Sequence, residues 1–427
     1  MLDRAVIFCR SLDQWVLSGG ALNEVLAEFS EHIPTTAAEI QAISRTLDAL
    51  HAGYSERCEL NQNELSSLVG YLSDAPDEET RNAIINEALP IVRWYITDAL
   101  NGKPYRKQEM MKVLEVLSIY QQKEDVSLIY KSILNAKLDD PLAWHKILNS
   151  FRDKHPYLKP FLQTLSKHPP SGFAGLSFLL LCNHAAETGQ SSPHAFGSEA
   201  GIKKLKSYLH PESKRPLEFA KASLRAAALL EPIERDSILK QAATHPDSSV
   251  AFIAKVTQAS LGNQNEQQAL TNRCLDLNHG YEAQLKLEEA GMASLIPEAA
   301  KDPEFLALAK CAHWLLQNEP FYKSPDHLEL IDDRELFWLP QHERVRLFLV
   351  KYKYEEPQGK TGLVEGVTLV GGITHSLVGE TNTEMDFADI YGLHCCWELE
   401  HLKDPVAPRH RNAKIGRNLL RRSNSGF

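Results

Sequence analysis

Residues 210–280 read HPESKRPLEFAKASLRAAALLEPIERDSILKQAATHPDSSVAFIAKVTQASLGNQNEQQALTNRCLDLNHG, and the openings inside that stretch decide how the chain is read. His210, Pro211, Glu212 and Ser213 recur as His245, Pro246, Asp247 and Ser248, an offset of 35 residues, and His279 opens a third segment 34 residues further on. Behind the first two openings lie paired runs, 217–230 with 233–243 and 250–261 with 264–277, whose apolar residues fall three and four apart. That spacing gives a helix one oily face. A single helix pair cannot bury such a face alone, so repetition at this period predicts pairs stacked side by side. His-Pro and Asp-Ser are also good helix starters in their own right.

Moving outward, the same texture fills the N-terminal three quarters. Thr36 with Glu39 forms a capping-box pattern, after which Ile40, Ile43, Leu47 and Leu50 share a face until Gly53. Leu65, Leu68, Val69 and Leu72 follow, then a segment with Ile84, Ile85, Val92, Trp94 and Ile96 that Pro90 should kink. Pro104 precedes Val113, Leu114, Leu117 and Tyr120. Asp140 and Pro141 read as a cap and first helical position, and the pattern resumes after Pro169, Gly197, Pro211, Pro246, Gly280 and Pro303. Roughly sixteen or seventeen helices of ordinary length fit before residue 338.

Near Pro340 the period changes. Residues 344–356 alternate, with Arg346, Phe348, Val350, Tyr352 and Tyr354 on one side and Val345, Leu347, Leu349, Lys351 and Lys353 on the other. A turn at 358–362, a Val-, Ile- and Thr-rich stretch at 363–378 and a helix over about 387–402, ended by Pro405, complete a small α+β unit. The expected architecture is therefore mostly α: an α-solenoid of antiparallel helix pairs over 1–338, an α+β module over 339–404 capping it, and a basic, disordered tail over 405–427.

The stretch 211–316 resembles an α-solenoid of HEAT-like helical repeats. The spacing of Asp247, Val250, Ala251 and Ala254 is similar to the second helix of such repeats, although Ala251 stands where the family usually carries arginine. The resemblance implies an extended protein-binding surface and no particular reaction. Some HEAT-like proteins are DNA glycosylases, which implies, as the alternative, a nucleic-acid-processing factor with a basic concave face.

Charge argues against that alternative. The net charge is −10, and 405–427 carry six basic residues (Arg409, Arg411, Lys414, Arg417, Arg421, Arg422) and no acidic one, leaving −16 on the preceding 404 residues. A body of that sign repels phosphate backbones on average. The six tail cations are candidates for binding nucleic acid or another anionic partner, although a solvated tail is the commoner use. Arg344, Arg346, Phe348, Lys351, Tyr352, Lys353 and Tyr354 also mix cations with aromatics that could stack on bases. The longest apolar run, 173–182, is about half the ~20 residues of a membrane span. Seven cysteines, an odd and scattered set, and an N-terminus interrupted by Arg10 and Asp13 lead us to expect a cytoplasmic protein with reduced thiols.

Chemistry is sparse. His394, Glu398 and His401 fall at i, i+4 and i+7, a face able to offer a metal two imidazoles and a carboxylate. The commoner use of such a face is plain solvation opposite Ile390, Leu393, Trp397 and Leu399. Cys395 and Cys396 read as buried thiols rather than a redox pair. The glycines Gly366, Gly371, Gly372 and Gly379 fit no phosphate or dinucleotide loop, and no nucleophile elbow or Cys-x-x-Cys is present. The sequence thus predicts a non-enzymatic scaffold without cofactor that binds a protein or peptide on its concave surface. An enzyme with its site between the array and the C-terminal module is the further alternative.

Overall fold

The computed structural model describes residues 4–57, 64–135, 137–152, 155–210, 215–318, 323–358, 363–371, 375–378 and 385–424. Pro211, Glu212 and Ser213 of the first repeat opening, the turn at 359–362, and Gly372 and Gly379 lie outside the described residues. The chain is mostly helical, with a four-stranded antiparallel sheet near its C-terminus. It divides into two compact units, Met1–Ala254 and Lys255–Phe427, which does not coincide with the division expected at 338/339.

The helices run α1 (Arg4–Ser18), α2 (Leu22–Glu28), α3 (Ala37–Arg57), α4 (Glu64–Gly70), α5 (Glu78–Ala83), α6 (Leu89–Leu100), α7 (Lys107–Tyr120), α8 (Lys123–Ile133), α9 (Pro141–Asn149) and α10 (Leu158–Leu165). They continue with α11 (Gly172–Glu187), α12 (Glu199–Tyr208), α13 (Leu217–Ala228), α14 (Pro232–Ala243) and α15 (Ser248–Ser260). Their starts follow the sequence signals. Glu39 accepts from the Thr36 backbone N–H at 3.0 Å, Asp140 caps α9 through Ala143 N–H at 3.0 Å, and Asp247 caps α15 through Val250 N–H at 3.1 Å. The break expected at Pro90 is a π-turn over Ile84–Ala88 that runs on from α5 into α6, with the proline at the start of α6.

In the first unit one continuous apolar core runs from Phe8 to Ala254. The helices α7, α9, α11 and α13 touch in succession, each against the next but one in sequence. The apolar run at 173–182 is the middle of α11, buried on nearly all sides between α9 and α13. Buried tyrosine hydroxyls tie layers together: Tyr71 donates to Phe29 O at 2.9 Å, Tyr95 to Leu47 O at 2.8 Å and Tyr120 to Leu72 O at 2.7 Å. Burial holds all three phenols above their ordinary pKa, Tyr120 at about 12, so they remain donors throughout the accessible range.

The second unit holds α16 (Gln264–Arg273), α17 (Gly280–Glu289), α18 (Pro303–Gln317), the strands β1 (His327–Trp338), β2 (Glu343–Gln358), β3 (Leu363–Val370) and β4 (His375–Val378), then α19 (Phe387–His401) and α20 (Ala413–Ser423). The sheet order is β1-β2-β3-β4. Helix α18 covers one face: Ala307, Cys311 and Leu315 pack with Phe348, Val350, Tyr352 and Tyr354. Helices α19 and α20 cover the other, where Ile390, Tyr391, Leu399 and Leu420 meet Leu336, Trp338, Leu347 and Leu349. The strand expected from the alternation at 344–356 is present as β2, and its two sides feed two cores.

Two expectations are corrected. The strand β1 occupies residues read as the end of the helical array. Leu328 and Leu330 face α18, whereas Leu336 and Trp338, of the same parity, face α19. A bulge between Leu330 and Asp332 shifts the register by one and hides the period of two. The tail, expected to be disordered, forms α20. Asn412 caps it through Lys414 N–H at 2.9 Å, and Asn424 bridges to Phe337 N–H at 2.7 Å and Phe337 O at 2.9 Å. Gly416 lies directly on Gly392 of α19, so a β-carbon at 416 would collide with the Gly392 carbonyl.

Two measurements check this packing. Tyr95→Phe and Tyr120→Phe each remove a buried hydrogen bond between layers, and chemical denaturation should show a loss of about 1–2 kcal/mol apiece. Gly416→Ala should cost about 1–3 kcal/mol by the same assay, because neither helix backbone has room to yield.

Candidate functional site

The residues singled out as metal ligands do not converge. His394 and Glu398 are fully buried rather than solvated, and Glu398 accepts from Trp338 Nε1 at 2.7 Å across from β1. His401 sits exposed at the last turn of α19, stacked on Trp397 with ring centroids 5.0 Å apart. Among the described residues no group of three or more His, Cys, Asp or Glu is placed to hold a metal ion. Cys395 and Cys396 are both buried free thiols; burial, with each other's and Glu398's charge next, raises the Cys395 pKa.

Arg411 pairs with Glu400 at 2.7 Å and Arg417 with Asp389 at 3.0 Å. Lys414, Arg421 and Arg422 project from α20, exposed, and Arg409 is exposed in the segment before it. A cleft of about 520 Å³ runs beside α20. On β2 the mixture of cations and aromatics is not a stacking surface. Phe348, Tyr352 and Tyr354 are buried beneath α18, Arg346 is held by Asp333 at 3.0 Å, and Lys351 meets Glu365 at 3.4 Å.

The first unit contains a larger hollow that no motif announced. A groove of about 1150 Å³ is lined by α10, the 189–198 connection and the turn from α13 into α14. Its walls offer amides and hydroxyls (Gln163, Ser166, Gln190, Ser198), apolar patches (Leu162, Pro193, Leu229) and opposed charges, Lys159 against Glu231 and Glu234. The 189–198 connection is held by His194. Its Nδ1 accepts from Phe196 N–H at 3.1 Å, and its Nε2 donates to Asn183 Oδ1 at 3.0 Å. Asn183 in turn donates to Ala222 O at 3.0 Å, joining α11 and α13 to the loop. Burial, outweighing the nearby Glu187 carboxylate, pushes the His194 pKa down to about 4, so the ring is neutral and both nitrogens are engaged. A histidine opening a segment by accepting the N–H two residues on recurs at His155 and His245, which accounts for the start at His245, whereas His279 makes no such cap bond.

No family model, curated protein or solved structure matches the chain. Among the described residues no helix is long and apolar enough to cross a membrane.

The His194 anchor has a pH signature. The unfolded chain binds this proton at the ordinary value of about 6.5, the folded chain only near 4. Stability from this site is therefore complete above the unfolded value and is lost as pH falls toward the folded one, by about 3 kcal/mol in all. Denaturation midpoints across that window should fall steeply for the natural chain and more shallowly for His194→Gln.

Proposed function

We propose that the chain is a non-enzymatic binding protein, a helical-repeat scaffold that holds a protein or peptide segment in the groove of its first unit. The observation that carries this reading is the wall chemistry of that groove. Amide and hydroxyl side chains can pair with the backbone of an extended segment, apolar patches can take its side chains, and the opposite charges of Lys159 and of Glu231 and Glu234 can set its direction. The one imidazole in the groove supports binding over catalysis, since both its nitrogens are engaged and its pKa is low, leaving it unable to act as a general base at neutral pH. The succession of contacts α7–α9–α11–α13 supports the solenoid reading of the same unit, because helices that touch the next but one are what stacked pairs produce.

Selection of a displayed random-peptide library against the full chain tests the reading. Gln163 and Lys159 are exposed on the groove wall, so Gln163→Trp fills it and Lys159→Glu reverses its charge without touching the core. Selected peptides should bind each variant about tenfold more weakly, equivalent to about 1.4 kcal/mol. Peptides that bind both variants as well as the natural chain would place the interaction elsewhere.

A further inference from the structure

We propose that the cleft beside α20 is a binding site for a phosphate monoester, held by Lys414, Arg417 and Arg421. These three residues and Asn418 recur at helical spacing and so share one side of α20. At 1.5 Å of rise per residue their backbone positions are stepped by roughly 4.5 and 6 Å along the axis, within the reach over which long cationic side chains can converge on one anion. The cleft is lined by Lys414, Arg417, Asn418, Arg421, Asn412 and Asp389, with Ala413 between them. Three cations and one carboxylate give that lining a net charge of +2, which matches the charge of about −1.5 to −2 on a phosphate monoester at neutral pH. Arg417 answers Asp389 through one guanidinium nitrogen at 3.0 Å. Among the described residues Lys414 has no carboxylate within ion-pair distance, in a chain where acidic residues outnumber basic ones.

Rigidity favours a built site over a solvated charge run. The helix is fixed at its start by the Asn412 cap, at its middle by the Gly416–Gly392 contact and buried Leu420, and at its end by the two Asn424 bonds to Phe337. Such a helix fixes the backbone from which the cations project, so only their side chains need ordering when an anion arrives. Leu419 and Leu420 of α20 are already spent on the second core, which leaves Ile415 as the one exposed large apolar side chain of the helix and little to insert into a lipid interface. Among the described residues no aromatic ring lines the cleft, so stacked bases would find no platform on them.

Calorimetric titration of the full chain with inorganic phosphate, with a glycine-alanine peptide bearing one phosphoserine, and with vesicles of phosphatidylcholine containing phosphatidic acid tests the site. Its three arms separate a free ion, a modified side chain and a lipid headgroup as the source. The expected result is saturable binding in at least one arm that weakens as pH falls through about 6, where the dianion gains a proton. It should weaken at least about tenfold in K414Q/R421Q. The control K203Q/K240Q, which removes the same charge from exposed positions in the first unit, should bind as the natural chain does. Unchanged thermal melting of K414Q/R421Q would show that the loss is not unfolding. The proposal is overturned by no saturable binding in any arm, by equal loss in the control, by undiminished binding in K414Q/R421Q, or by preference for single-stranded DNA over every monoester.

Discussion

Burial of hydroxyl-to-carbonyl bonds between layers is the constraint on which the first unit depends. A helix stack closes only if each apolar face meets its neighbour and every polar atom caught between them finds a partner, because an unpaired buried carbonyl costs about as much as a core methylene or two. Tyrosine meets both demands at once: its ring fills the seam and its hydroxyl reaches across. Tyr71, Tyr95 and Tyr120 each do so to a carbonyl more than forty residues back in the chain, which sets how far one layer can slide over the one before it. The groove beside α10 and the connection at 189–198 inherit their positions from that stack through Asn183 on α11, itself buried within the unit.

The second unit solves a different problem. A sheet with apolar residues on both faces must be covered twice, and β2 shows the requirement in its sequence by having no polar side over 347–350. Helix α18 supplies one cover and the α19–α20 pair the other. Glu398 sits inside the second layer because the Trp338 indole donates to it, so a carboxylate is accommodated where a hydrocarbon would otherwise be expected.

Much of this was legible in the sequence, and the gaps have physical causes. Caps at Thr36, Asp140 and Asp247 announce their helices because a side chain must satisfy the first free N–H groups, and few residue types can. The alternation of β2 was equally plain. The strand β1 was not, since its bulge inverts which parity faces inward and Glu329, Asp332, Asp333 and Glu335 break the apolar run. Helix α20 was masked by its charge, although Asn412 followed by Ile415, Leu419 and Leu420 carries an ordinary cap and stripe. His394 and Glu398 were read as outward-facing because helical spacing says which residues share a side but not which side is covered. The groove had no local signature at all: its walls come from segments separated by tens of residues.

The meeting of Gly392 with Gly416 has a consequence for how this chain can change over time. Two main chains in direct apposition are already as close as polypeptide allows, so a bulkier residue on one side cannot be answered by a smaller one on the other. Compensation, the usual route by which packed pairs drift, is closed at this spot. Substitution on the exposed flank of the last helix is unconstrained by comparison, so its recognition chemistry is free to diversify on a mounting that is not.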